Sequence, residues 1–156
     1  MTTETIDHAK NQAEAQYASI SEMVDRLNHC RDCRNSYEDY LDDPECCDGV
    51  TFDSENDFDL YHNEDEALQE INDDPLSVEV RSDWYSLGDV DGGVPVEFAI
   101  LLCTGGPAVR IRGELSNGIP DRAWIEYQDW GTGWTQYFDT EQDTLLAYAS
   151  NFYFGE

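Results

Sequence analysis

The spacing of apolar residues changes at Pro75 from helical to alternating, and this switch limits what the chain can fold into more than any other feature. Upstream, Ala13, Ile20, Met23, Leu27, Cys30, Tyr37 and Leu41 recur on a three-four repeat. That spacing predicts an amphipathic helix over residues 9–41. Arg34 interrupts the seam, so the helix is either continuous or broken within 28–35, and Pro44 ends it. A shorter helix is expected over 63–72 through Ala67, Leu68 and Ile71.

Downstream of Pro75, Leu76, Val78 and Val80 alternate with Ser77, Glu79 and Arg81, the pattern of a half-buried strand. Residues 96–104 (VEFAILLCT) form an apolar run of strand length, suited to a central strand. Gly105-Gly106-Pro107 turns the chain into a strand with Val109, Ile111 and Gly113 on one face and Arg110, Arg112 and Glu114 on the other. Asn117-Gly118 is a hairpin signal, followed by a strand with Ala123, Ile125 and Tyr127 on its apolar face. After Trp130-Gly131-Thr132-Gly133 a short strand WTQYF is expected. Thr140, with Asp143 three residues on, should cap a last helix that buries Leu145, Leu146, Tyr148, Ala149, Phe152 and Tyr153. The expected class is α+β: a long N-terminal helix, an acidic middle, an antiparallel meander of four to five strands and a C-terminal helix. Residues 1–8 should be a disordered tail and 9–156 a single domain, with a helical acidic part (9–74) and a part made of sheet and C-terminal helix (75–156).

At 156 residues the chain can bury one real core, and its aromatic content supplies it without disulfides. Charge is where it departs from an ordinary domain. Eight basic residues face 35 acidic ones, a net charge of −27, whereas solubility asks for a magnitude of only about 2–8. Such a charge repels nucleic acid and anionic membranes and favours a cationic partner. No apolar run approaches the length of a membrane span. The start MTTETIDHAK lacks a basic region followed by an apolar one, which argues against secretion, and five cysteines suit a reducing cytoplasm.

The charge is concentrated in residues 38–74, which hold sixteen Asp and Glu and neither Lys nor Arg. These are Glu38, Asp39, Asp42, Asp43, Glu45, Asp48, Asp53, Glu55, Asp57, Asp59, Glu64, Asp65, Glu66, Glu70, Asp73 and Asp74. Tyr40, Phe52, Phe58, Tyr61 and Ile71 are interleaved with them, so the segment reads as a folded acidic surface and not a solvated tail. On a helix face, carboxylates at i, i+3 or i+4 lie about 5–6 Å apart. Duplex DNA carries one charge per about 1.7 Å of axis. An acidic surface of this kind could therefore stand in for phosphates in a cationic groove. The competing explanation is salt adaptation, in which acidic surfaces keep proteins soluble in brine, although five cysteines and 12% aromatics are unusual for that habit.

Two metal readings compete for the same region. Cys30, Cys33, Cys46 and Cys47 could supply four thiolates to a structural zinc, but Cys46-Cys47 are adjacent instead of spaced. They read more simply as small buried hydrophobes, with no cofactor. Asp53, Glu55, Asp57, Asp59 and Glu64 occupy liganding positions of an EF-hand calcium loop, yet Phe58 stands where that loop needs Gly. Catalysis has little support: His8, His29 and His62 are scattered, and no nucleophile is paired with a base.

The stretches DPLSVEVRSDWY, FAILLCTGGPAVRIRGEL, AWIEYQDWGTGWTQY and QDTLLAYASNFYFGE, with SISEMVDRL in the first helix, resemble a family of small acidic proteins carried by bacterial phages, prophages and plasmids. The resemblance implies a mobile-element setting in the bacterial cytoplasm. There, such proteins are often non-enzymatic inhibitors of host defence, of anti-CRISPR or antirestriction type. Together with the charge, this points to a basic nucleic-acid-binding protein as partner, with Trp84, Trp130 and Trp134 as candidate anchors if exposed. It carries over no catalytic residues. The alternatives are a zinc- or calcium-binding module of a mobile element, or a salt-adapted protein of unrelated function.

Overall fold

The computed structural model describes residues 8–89, 91–105, 107–129 and 133–154. Of the expectations above, the tail up to Asp7, Gly106 of the expected turn, and Trp130 with the Gly131-Thr132 that follow it lie outside the described residues, while His8, expected in the tail, begins the first helix.

Helix α1 (His8–Asp32) buries Ala9, Ala13, Ile20, Met23, Val24 and Leu27 along one stripe. The helical pattern then breaks at residues 33–36, because Ser36 caps a new helix, α2 (Tyr37–Asp42). Its hydroxyl accepts from the Asp39 N–H at 3.2 Å, and the Asp39 carboxylate accepts from the Ser36 N–H at 2.9 Å, a reciprocal capping box. Arg34 turns back to donate to the carbonyls of Arg31 and Cys33 at the end of α1, where cations are favoured. Helix α3 (Glu55–Tyr61), capped by Ser54, was not foreseen, while α4 (Glu64–Asp73), capped by Asn63, falls where the sequence places it.

Five antiparallel strands follow: β1 (Ser77–Ser82), β2 (Pro95–Cys103), β3 (Ala108–Ser116), β4 (Ile119–Gln128) and β5 (Thr135–Tyr137), ordered in space as in sequence. Asn117 and Gly118, with φ of 53° and 79°, make the β3–β4 turn, the left-handed pair of a two-residue hairpin. The chain closes with α5 (Gln142–Ala149). The protein is thus α+β, with a long N-terminal helix, a five-stranded antiparallel sheet and a C-terminal helix. No helix among the described residues is long and apolar enough to cross a membrane.

One sheet face is apolar, with Phe98, Ile100, Leu102, Val109, Ile111, Ala123 and Ile125 buried on it. Helix α1 lies over β3 and β4, α5 packs on β4 and on α1, and α4 packs on α1. The opposite face is a ladder of ion pairs: Arg81 and Arg112 with Glu97, Arg110 with Glu126, and Arg122 with Glu114. Arg110 also stacks its guanidinium 3.8 Å from the centre of the Trp134 ring.

Three local expectations are corrected. Leu76, Val78 and Val80 are exposed (60, 37 and 43%), because β1 is the edge strand and the helix layer sits over β3 and β4. The α5 N-cap is Glu141, without a side-chain cap bond, so Thr140 does not cap that helix. Tyr153 is exposed, whereas Phe154 takes the core position against Phe98, ring centroids 4.8 Å apart.

Candidate functional site

The segment between α1 and α4 forms a small satellite with a core of its own. Tyr40, Cys47 and Phe58 are buried there, with Cys33, Tyr37, Cys46 and Phe52 packed around them. The Tyr40 hydroxyl accepts from the Phe52 N–H at 2.9 Å. The aromatic rings meet edge to face, Tyr40 on Phe52 at 5.0 Å and Phe52 on Phe58 at 5.2 Å, the favourable geometry for such pairs. Arg26 fastens the end of α3 to α1 by donating to the carbonyls of Leu60 and Tyr61.

The carboxylates stand outside this core. Of the sixteen in residues 38–74, every one is exposed except Asp74. Asp74 is half-buried and accepts the Tyr148 hydroxyl at 2.6 Å, which makes it a structural acceptor. Two others are neutralised by arginine, Glu64 by Arg31 at 2.7 Å and Glu70 by Arg26. Asp39 serves the α2 cap. An open cleft of about 1040 Å³ lies between α1 and α3, and its lining includes Glu22, Asp25, Asp32, Asp48, Asp57 and Glu70 beside Tyr61 and Phe52. Arg26 also lines it, pairing with Glu70 and lying 5.6 Å from the centre of the Tyr61 ring, which leaves five carboxylates without an arginine partner to attract a further cationic side chain.

The calcium register does not converge. Glu55, Asp57 and Asp59 lie on α3, so their side chains fan around a helix instead of lining a loop. Phe58, at the glycine position, is buried in the satellite core.

The four cysteines are divided. Cys30 donates its thiol to the Tyr61 carbonyl at 3.1 Å, and Cys46 sits at the rim 3.7 Å from the Cys47 sulfur. Cys33 and Cys47 instead converge with two histidines: one donor atom each from His29, Cys33, Cys47 and His62 lie within 4.8 Å of one another. His29 and Cys33 are four residues apart at the end of α1, which places both on one face. Cys47 is turned inward by the Asp48-Gly49 bend, whose φ values of 54° and 81° are both left-handed. Gly adopts that conformation without steric cost, and Asp tolerates it better than most residues. His62 follows α3 as its C-cap. Burial, aided by the neighbouring Cys46 thiol, pushes the Cys47 thiol up to about 12. Burial also lowers His62, assisted by the nearby His29. The histidines were missed because His62 is 29 residues from Cys33 in the chain and the helix that carries it there was unforeseen. The one local signal was the i, i+4 pairing of His29 with Cys33.

Of the tryptophans singled out, Trp84 is fully exposed, while Trp134 is half-buried beneath Arg110. Compared with protein-family models, characterised proteins and solved structures, the chain matches none.

Proposed function

We propose that this protein is a non-enzymatic inhibitor whose acidic surface occupies the cationic groove of a nucleic-acid-binding host complex, a CRISPR effector or a restriction enzyme, in place of DNA. The observation that carries this is the outward display of fifteen of the sixteen carboxylates in residues 38–74. Only Glu64 and Glu70 among them are paired with arginine. Clustered carboxylates on three helices and along one cleft attract a basic groove at long range, and electrostatic complementarity of this kind sets on-rate and specificity. Trp84, on the loop after β1, is exposed and available as an apolar anchor. The proposal includes the setting that the family resemblance implies, the cytoplasm of a bacterium carrying a mobile element.

Displacement of a labelled DNA duplex from a guide-loaded CRISPR effector and from a restriction endonuclease, followed by fluorescence polarisation at low and high salt, tests the reading. Displacement that weakens steeply with salt supports it. Neutralising Asp42, Glu45, Asp53 and Asp59 to amides should then abolish displacement while leaving the circular dichroism spectrum unchanged. If no such complex loses its DNA at low salt, the proposal fails.

A further inference from the structure

We propose that His29 Nε2, Cys33 Sγ, Cys47 Sγ and His62 Nε2 form a tetrahedral zinc site that staples the acidic satellite to the end of α1. Two thiols and two imidazoles are the ligands of closed structural zinc sites, with Zn–S near ~2.3 Å and Zn–N near ~2.0–2.1 Å. A tetrahedron of those bonds has edges of about 3.4–3.8 Å; the Cys47 sulfur lies 3.7 Å from His62 Nε2, while the two Nε2 atoms, 2.9 Å apart, open slightly and the wider pairs, within 4.8 Å, draw in to seat the ion.

The hydrogen bonds on the far side of each ring aim both Nε2 atoms at the site. His62 Nδ1 is 2.7 Å from the Phe58 carbonyl, which can only accept, so Nδ1 carries the proton and Nε2 presents its lone pair. His29 Nδ1 is 3.3 Å from the exposed Asp48 carboxylate, which can only accept, so Nδ1 carries a proton there too. In the neutral form of both rings the two Nε2 atoms face one another across 2.9 Å as two acceptors. With both rings neutral this arrangement is repulsive, and a cation held between them makes it favourable. A carbonyl and a carboxylate behind the two imidazoles are also the usual supports of metal-bound histidine.

The satellite also needs a staple. Helices of six and seven residues are far below the length at which helices persist alone. Residues 33–62 hold ten Asp and Glu against one Arg. A core of three buried side chains is small to hold such a self-repelling segment, and units of this size ordinarily rely on a metal or a disulfide. On binding, each thiol gives its proton to solvent and the ion takes two thiolates and two neutral imidazoles, a complex of no net charge.

The site stands independently of the inhibitor reading, and its test uses no partner. The full chain, purified under reducing conditions and washed with magnesium and high salt to strip carboxylate-bound metal, should contain roughly one zinc per chain by mass spectrometry. Replacing zinc with cobalt(II) should give the intense visible bands and thiolate charge-transfer band of a tetrahedral site. Cys33→Ser and Cys47→Ser should each weaken cobalt binding by at least ~100-fold, whereas Cys30→Ser and Cys103→Ser should leave it unchanged. Three results overturn the proposal: wild-type protein that takes up neither ion, zinc retained by the Cys33→Ser/Cys47→Ser double variant, or equal losses from Cys30→Ser. The wild-type cobalt titration depends on no variant folding.

Discussion

Tyr148→Phe isolates one buried bond that ties the two halves of the chain together. Tyr148 is fully buried, and its hydroxyl donates to Asp74 Oδ2 at 2.6 Å. Phe keeps the ring and its packing, so the substitution removes the O–H and little else. A hydrogen bond to a charged group contributes about 1.5–3 kcal/mol net. Asp74 is only half-buried, so water recovers part of the loss, leaving about 1.5–2 kcal/mol. For a domain of this size that is a fall in Tm of about 3–8 °C. Asp74→Asn retains an acceptor and should cost less, while Asp74→Ala orphans the buried hydroxyl and should cost as much as Tyr148→Phe. Denaturant melts of the two single variants and of Tyr148→Phe/Asp74→Ala give the coupling, expected at about 1 kcal/mol or more. The same bond has a pH signature. Burial first, then the Asp74 bond, raises the Tyr148 phenol above its ordinary 10.0. A raised acid favours the fold while it stays protonated, so this stability is whole below pH 10 and is lost as pH rises beyond it. Tyr148→Phe should remove that alkaline loss. A Tyr148→Phe variant within about 0.5 kcal/mol of the parent, or a coupling near zero, would refute the reasoning.

Gly113→Ala should destabilise by at least ~2 kcal/mol in denaturant melts, because a Cβ there would lie 2.3 Å from the Arg122 carbonyl oxygen as well as against the Phe98 ring. Added sodium chloride should raise Tm, since screening relieves a net charge of −27 more than it weakens six arginine–carboxylate contacts. A fall in Tm with salt would contradict this. Asp48→Ala, which removes the support behind His29, should weaken cobalt binding by ~10–100-fold without changing the ligand set. Val80→Lys on the exposed edge strand should shift stability by under about 0.5 kcal/mol, a value that melts will check.

The sheet was legible because its signals are local. The alternation in 108–116 sorts Val109, Ile111 and Gly113 inward against Arg110 and Arg112, as the burial along β3 confirms. Asn117-Gly118 marks its turn without reference to anything distant. Burial at the edge was not legible, because whether Val78 and Val80 are covered depends on how far the helix layer reaches, and no residue in β1 records that. Helix α3 escaped notice because a seven-residue helix with one buried side chain, Phe58, leaves almost no periodicity. That omission also hid the His/Cys cluster. Cys33 and Cys47 belonged to a spacing that suggested metal, but their partners come from the last turn of α1 and the end of α3. Only the fold brings those ends together.

The acidic surface and the His/Cys cluster bear on the same physical problem. Segment 33–62 places ten carboxylates around a core of three buried side chains, and the repulsion among them opposes the compaction that this core must maintain. Arginine could relieve it, and Arg26 does so for Glu70 on the neighbouring helix, but each such pair removes a charge from the display. A neutral zinc–dithiolate–diimidazole centre holds the backbone by covalent-strength ligation from inside, leaving the outer carboxylates unpaired. The two readings therefore make separable demands. Loss of zinc should loosen residues 33–62 in hydrogen exchange while the sheet stays protected. Neutralising Asp42, Glu45, Asp53 and Asp59 should tighten that segment as it weakens attraction to a basic groove. Opposite movements of local stability under the two perturbations are expected if the centre provides the hold and the carboxylates provide the contact.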